Sequence, residues 1–197
     1  MKLGEIVRIK SGLVLARKKA SVEFEVKNTY NLITLKNIEE NGVLNKEKFD
    51  IFESNEKLNN SYFTRKGDIL VRLSYPYTAL YIDKDKAGLL VPSSFAILKL
   101  KTQDYIAEYV TWYLNSAQVK KELMKSQTGT AMATTNKSVM ASLEIKKISI
   151  EDQKRIGKIQ ELYFRERELL SSLMEEKEEY YKAITNRLLQ INKERVN

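Results

Sequence analysis

From Glu151 to Lys193 the sequence runs for more than forty residues without a proline, and Gly157 is its only glycine. Nothing in such a run stops a helix once it has started, because proline and glycine are the residues that break one. At 1.5 Å per residue the run would make a helix of about 65 Å. That is several times the average length in globular proteins. Ser149 offers an N-cap at its start, with Asp152 at the third helical position. With Ile156 at heptad position a, the a and d positions are Ile156, Ile159, Tyr163, Glu166, Leu170, Leu173, Lys177, Tyr180, Ile184, Arg187 and Ile191. Eight of these eleven are apolar, which is the seam of a coiled coil. Leu162, Leu169, Met174, Tyr181 and Leu188 widen the stripe beyond what one partner helix covers.

The polar exceptions suggest an orientation. In an antiparallel pair centred between Ser171 and Ser172, Tyr163 faces Tyr180, Ile159 faces Ile184 and Leu170 faces Leu173. Glu166 then faces Lys177, and opposite charges partly offset the cost of polar groups in a seam. An antiparallel homodimer is expected from this pairing, with the seam from Ile156 to Ile184 as its interface. The alternative is that Glu166 and Lys177 extend to solvent.

Charge separates the chain into two parts. Residues 149–197 hold ten Lys/Arg and ten Asp/Glu, whereas residues 1–148 hold 24 and 16. The whole excess of +8 lies before the long helix. A basic domain at 1–148 joined to a charge-balanced helix at 149–197 suits one part that meets a polyanion and another that meets protein.

Several chemistries are excluded by composition. The chain has no cysteine and no histidine, so disulfide frameworks, zinc fingers and Cys or His nucleophile–base pairs are out. No glycine-rich phosphate loop is present. Asp83 and Asp85 superficially resemble a nuclease carboxylate pair but read better as a solvated turn. Ser74-Tyr75-Pro76-Tyr77 is a poor match to the loop of amino-group methyltransferases, and no cofactor motif accompanies it. No catalytic residue and no metal site is expected. The chain has no apolar run of membrane-spanning length and its first ten residues lack a secretory apolar stretch, so a cytoplasmic protein is expected.

Before the helix, short β-prone runs occur at residues 6–9, 30–35, 69–73, 79–82 and 95–98. Residues 104–114 are expected to form a helix whose Tyr105, Tyr109, Trp112 and Tyr113 share one face and pack in the core. A second short helix is expected at 118–125. A polar stretch rich in hydroxyls and amides follows from Ser126 to Lys137. The expected fold is an α/β (α+β) domain with a twisted mixed sheet, followed by the long helix.

The ordered motifs resemble the type I restriction–modification specificity subunit family. Lys66-Gly67-Asp68-Ile69-Leu70-Val71 is similar to that family's strand opening. Leu3-Gly4-Glu5-Ile6 with Ser11-Gly12 is similar to its entry. Gln127-Thr128-Gly129-Thr130, followed by 137–143, is similar to its Gly-Ser/Thr loop. Ile148 to Ile156 is similar to the junction that leads into its long helix, with Ser149 where the family commonly has proline and Asp152 where it commonly has Glu.

A full member carries two recognition domains and two antiparallel helices, and this chain has one of each. The resemblance implies a half-subunit that dimerises and recognises a symmetric bipartite site in double-stranded DNA. It also implies an adenine DNA methyltransferase subunit as partner, with S-adenosylmethionine bound there and no cofactor here. A translocase–nuclease restriction subunit is a further partner.

Candidate DNA contacts are chosen by chemistry: Arg17, Lys18 and Lys19 in a basic loop; Arg72, Tyr75 and Tyr77 around one turn; Lys84 and Lys86 on the next. Gln127, Thr128, Thr130, Thr134, Asn136 and Lys137 in the polar loop complete the set. Two other readings stay open at this point. One is a coiled-coil adaptor that never touches DNA, and the other is a recombination donor or antagonist fragment of a full subunit.

Overall fold

Short apolar runs separated by polar turns fold as strands in the computed structural model, which describes residues 1–45, 47–126 and 134–194. The order begins α1 (Leu3–Ile6), β1 (Val7–Ser11), β2 (Asn28–Leu32), β3 (Asp50–Ser54) and β4 (Ile69–Arg72). It continues β5 (Ala79–Tyr81), β6 (Phe95–Leu100), α2 (Ala107–Leu114), α3 (Ala117–Lys125), α4 (Lys137–Ser142) and α5 (Ile150–Glu194). The chain divides into two units, Met1–Gly157 and Lys158–Asn197.

In the first unit a four-stranded sheet has the order β1-β6-β4-β5, and β2 pairs with β3 apart from it. Ile69 and Val71 of β4 join one buried cluster, with Ala96 and Leu98 of β6. Leu70 joins a second on the opposite face, with Phe95 and Ile97. Burial on both faces explains why these strands are continuous apolar runs and do not alternate with polar residues. The first cluster is completed by Leu3, Ile6, Tyr105, Tyr109, Val110, Val119, Leu123 and Met140 from the helical segments. A third cluster, around Leu13, Leu32, Phe52, Leu58 and Leu90, underlies the small sheet.

The expected mixed sheet is not what forms. Every strand pair in both sheets is antiparallel. A parallel pair needs a crossover of a dozen or more residues, usually a helix. Among the described residues the helical elements between β1 and β6 are all 3₁₀ turns, and α2 to α5 come after the last strand. Helices and strands are therefore segregated along the chain, as in α+β folds. The strand β3 escaped the sequence reading because Asp50 and Glu53 interrupt its apolar pattern.

The helix expected from residue 104 begins at Ala107. The backbone of the preceding residues is engaged elsewhere, since Gln153 of α5 bonds to the Asp104 carbonyl and to the Ile106 N–H. Of the aromatic face, Tyr105 and Tyr109 are buried, while Trp112 is exposed and stacks on Tyr109 with ring centroids 5.9 Å apart. Tyr109 donates its hydroxyl proton to the Lys146 carbonyl at 2.7 Å.

The long helix forms as one element of 45 residues. Ser149 Oγ accepts the Asp152 N–H at 3.1 Å and donates to the Asp152 carboxylate at 2.7 Å, which fixes the helix start. Its surface carries exposed i,i+3 and i,i+4 ion pairs such as Arg155–Glu151 and Arg165–Glu168. Pairs of this kind contribute only a few tenths of a kcal/mol each. No described helix is long and apolar enough to cross a membrane.

Candidate nucleic-acid interface

Two of the expected contact segments come together. The turn between β4 and β5 is closed by hydrogen bonds from Arg72 N–H to the Thr78 carbonyl and from Tyr77 N–H to the Ser74 carbonyl, both 2.9 Å. Thr134 forms an antiparallel bridge with Ser74, and Thr135 N–H donates to the Leu73 carbonyl at 2.7 Å. The end of the polar stretch therefore lies against this turn. Arg72 Nε donates to Ser74 Oγ at 3.0 Å, so its guanidinium is held at the same place. Tyr75 is 60% exposed and Thr134 is exposed, so both are available to a ligand.

Tyr77 is not available. It is 1% exposed and belongs to the core cluster with Ile69, Val71 and Ala79. Its backbone takes a φ of +55°, and its ring lies edge-on to Tyr75 with centroids 6.3 Å apart. A residue inside a turn has no periodic pattern to say which way it points, so the sequence could not separate the two tyrosines. Asn136 is also occupied: its Oδ1 accepts the Val139 N–H at 3.0 Å as the N-cap of α4. Gln127, Thr128 and Thr130 lie outside the described residues.

The remaining candidates sit on other segments. Leu15–Arg17 is a 3₁₀ turn with Arg17 exposed. Lys18 pairs with Glu56 at 2.7 Å, and Lys19 bridges to Ser54. Asp83 Oδ1 accepts the N–H groups of Asp85 and Lys86 at 3.1 Å each, and its other oxygen pairs with the Lys86 ammonium. The Asp83–Lys86 segment is thus a capped turn, with Lys84 exposed on it. Among the described residues no group of three or more acidic side chains could hold a metal ion.

The structure adds cations that the sequence reading passed over. Arg8 on β1 lies directly opposite Lys99 on β6, and Lys10 is two residues further along the same face. Lys99 forms a pair with the buried Asp68, at 2.7 and 2.8 Å. Lys10 donates to Ser61 Oγ, and its ammonium stands 3.7 Å from the centre of the Tyr62 ring. Burial lowers the pKa of Lys10, and the nearby charges of Lys137 and Lys99 lower it further. The sequence carries the signal as alternation, Arg8-Ile9-Lys10 and Lys99-Leu100-Lys101, at the ends of the apolar runs 6–9 and 95–98.

On α5 the seam residues divide. Ile156 is half-buried against the core of the first unit. Ile159, Tyr163, Leu170, Leu173, Tyr180 and Ile184 are all exposed, by 41 to 69%. Glu166 and Lys177 are exposed as well.

Residues 1–178 match the family model described as the type I restriction modification DNA specificity domain. The chain belongs to this family. This specificity domain also shares its fold with solved structures. One is the HsdS subunit from Thermoanaerobacter tengcongensis, at a TM-score of 0.60 and 15% identity, covering 86% of this chain and 43% of that one. Another, from a study of complex assembly and conformational transition of the type I R-M system, has a TM-score of 0.60, 14% identity and the same coverage. A third is the S subunit of a type I restriction-modification system from M. genitalium, at 0.52 and 19%, covering 88% and 42%. No curated protein sequence matches significantly. The specificity domain thus spans less than half the length of the subunits whose fold it shares.

Proposed function

We propose that this specificity domain acts as one half of a two-domain DNA-recognition subunit and completes itself as an antiparallel homodimer through α5. The observation that carries this is the apolar stripe that α5 leaves exposed. From Ile159 to Ile184 it supports a helical partner, since a monomer would leave all of it in water. Nearly nine-tenths of the chain aligns with little more than two-fifths of each S subunit. The opposition of Glu166 to Lys177 in the antiparallel register favours a second copy of the same chain.

In this reading the chain performs no chemistry. The basic first unit docks on duplex DNA through phosphate contacts, which set affinity and register. Side chains around the joined 72–75 and 134–137 segments read base edges, with the Gln127–Thr130 segment beside them in sequence. Two identical domains read one half-site and its inverted repeat, and the helix pair sets the spacing. An adenine methyltransferase subunit docks on the outer face of the helices, binds S-adenosylmethionine itself, and methylates a flipped adenine. A restriction subunit can join this assembly in the cytoplasm.

The test is to express the full chain with the methyltransferase subunit of the same organism and map methylated adenines. A palindromic bipartite motif, present only when both are expressed, is the expected result. Methylation at an asymmetric motif would overturn the homodimer. No dependence of methylation on this chain would leave the adaptor reading standing.

A further inference from the structure

Beside the joined loops, the free edge of β1 carries a groove lined by Gly4, Arg8, Lys101, Lys137, Ser138 and Ala141. Its floor is a tight contact between α1 and α4: a Cβ on Gly4 would lie 2.8 Å from that of Ala141. Three cations line this groove. Among the described residues no carboxylate lines it, and none of the three forms an ion pair. Lys101 Nζ donates to the Gly4 carbonyl at 2.8 Å, which holds its ammonium at the groove wall.

The placement costs stability. Arg8 faces Lys99 across the β1–β6 pair, and like charges directly opposite one another are destabilising. Asp68 offsets the charge of Lys99, whereas among the described residues no carboxylate pairs with Arg8. Lys137 adds a further positive charge close enough to depress the titration of Lys10. An anion in the groove would remove this repulsion.

We infer that this groove holds the phosphodiester backbone of one strand of duplex DNA, with Arg8, Lys101 and Lys137 as its phosphate ligands. The inference rests on the DNA-recognition reading above and names the surface that performs it. Arg8 can grip a phosphate with two parallel N–H bonds, while the two lysines act as point charges. Lys137 follows Thr134 by three residues, at most about 10 Å of chain. A strand held here therefore presents its bases within reach of Arg72, Tyr75 and Thr134. The groove sets the register that those side chains read.

The experiment measures binding of the full chain to a fluorescent 30-base-pair duplex across a range of salt concentrations. The triple variant Arg8→Gln/Lys101→Gln/Lys137→Gln is compared with a charge-matched control, Lys27→Gln/Lys57→Gln/Lys66→Gln, after both are shown to melt as the unmodified protein does. The groove variant is expected to lose at least about tenfold in affinity at low salt. Its slope of log K against log salt should shrink by about 2 to 3, since each phosphate contact contributes about 0.9. The control should keep most of the slope. Equal losses in the two variants, or an unchanged slope in the groove variant, would overturn the assignment of this groove while leaving DNA recognition intact. Absence of duplex binding by the unmodified chain would overturn the DNA-recognition reading itself.

Discussion

The side chain of Gln153 ties α5 to the segment before α2. Its Oε1 accepts the Ile106 N–H at 2.9 Å, and its Nε2 donates to the carbonyls of Asp104 at 2.9 Å and Ile148 at 3.1 Å. Gln153 is fully buried, so these are the bonds that replace water for its amide group. Ile156 packs one turn further on, and at Gly157 a Cβ would stand 3.1 Å from that of Glu108. The first two turns of the long helix are thereby part of the globular unit.

Replacing Gln153 by Leu would leave two carbonyls and one N–H, all partly buried, without this partner. Unsatisfied buried groups cost about 1–3 kcal/mol each. Gln153→Leu is expected to lower unfolding stability by on the order of 3 kcal/mol, measured by urea denaturation. Gln153→Glu should also destabilise, because its carboxylate would face the Asp104 and Ile148 carbonyls. A variant as stable as the unmodified chain would show that the amide is not the tie.

Gly12 lies against the backbone of the residue 91–92 segment. A Cβ there would stand 2.1 Å from the Pro92 oxygen and 2.6 Å from the Val91 oxygen. Gly12 N–H donates to the Phe95 carbonyl and Leu13 N–H to the Val91 carbonyl, so neither strand can move aside without losing bonds. Gly12→Ala should cost about 3 kcal/mol, at the upper end of overpacking effects. Thermal melting would detect this, whereas Gly88→Ala, with open space around it and only the strain of its φ of +89°, should lose less.

The seam charges make the proposed antiparallel dimer testable by exchange. Glu166→Lys alone sets like charges opposite one another in the antiparallel register and should raise the dimer dissociation constant by about tenfold or more. Glu166→Lys with Lys177→Glu restores the pairing and should return it close to the original value. Sedimentation equilibrium reads both. A double variant no better than the single one would refute the register.

Tyr81 should sense alkaline pH. Burial pushes its phenol up to about 12, and the carboxylates of Glu108 and Asp83 add to the effect. The folded protein then holds a proton that the unfolded chain releases near pH 10. The resulting stability is present in full below pH 10 and is lost as pH rises toward 12. Tyr81→Phe should lose less stability than the unmodified chain between about pH 10 and 12, by urea denaturation at each pH. Equal losses would place the sensitivity on the other buried tyrosines, whose phenols burial also pushes up, Tyr109 among them.

The sequence by itself determined the long helix, its capped start at Ser149 and the strands around residues 69–73 and 95–98. Each of these depends on neighbours within a few residues, through capping, apolar runs and the absence of proline. It also determined the family, because motif order along the chain needs no geometry. Tertiary structure alone decided that Tyr77 turns into the core while Tyr75 stays in water. It alone set Arg8 against Lys99 and brought Thr134 to Ser74. Those pairs are separated by 60 or more residues. Contacts at that distance follow from which strands pair and in what register, and local patterns of polarity do not specify that choice.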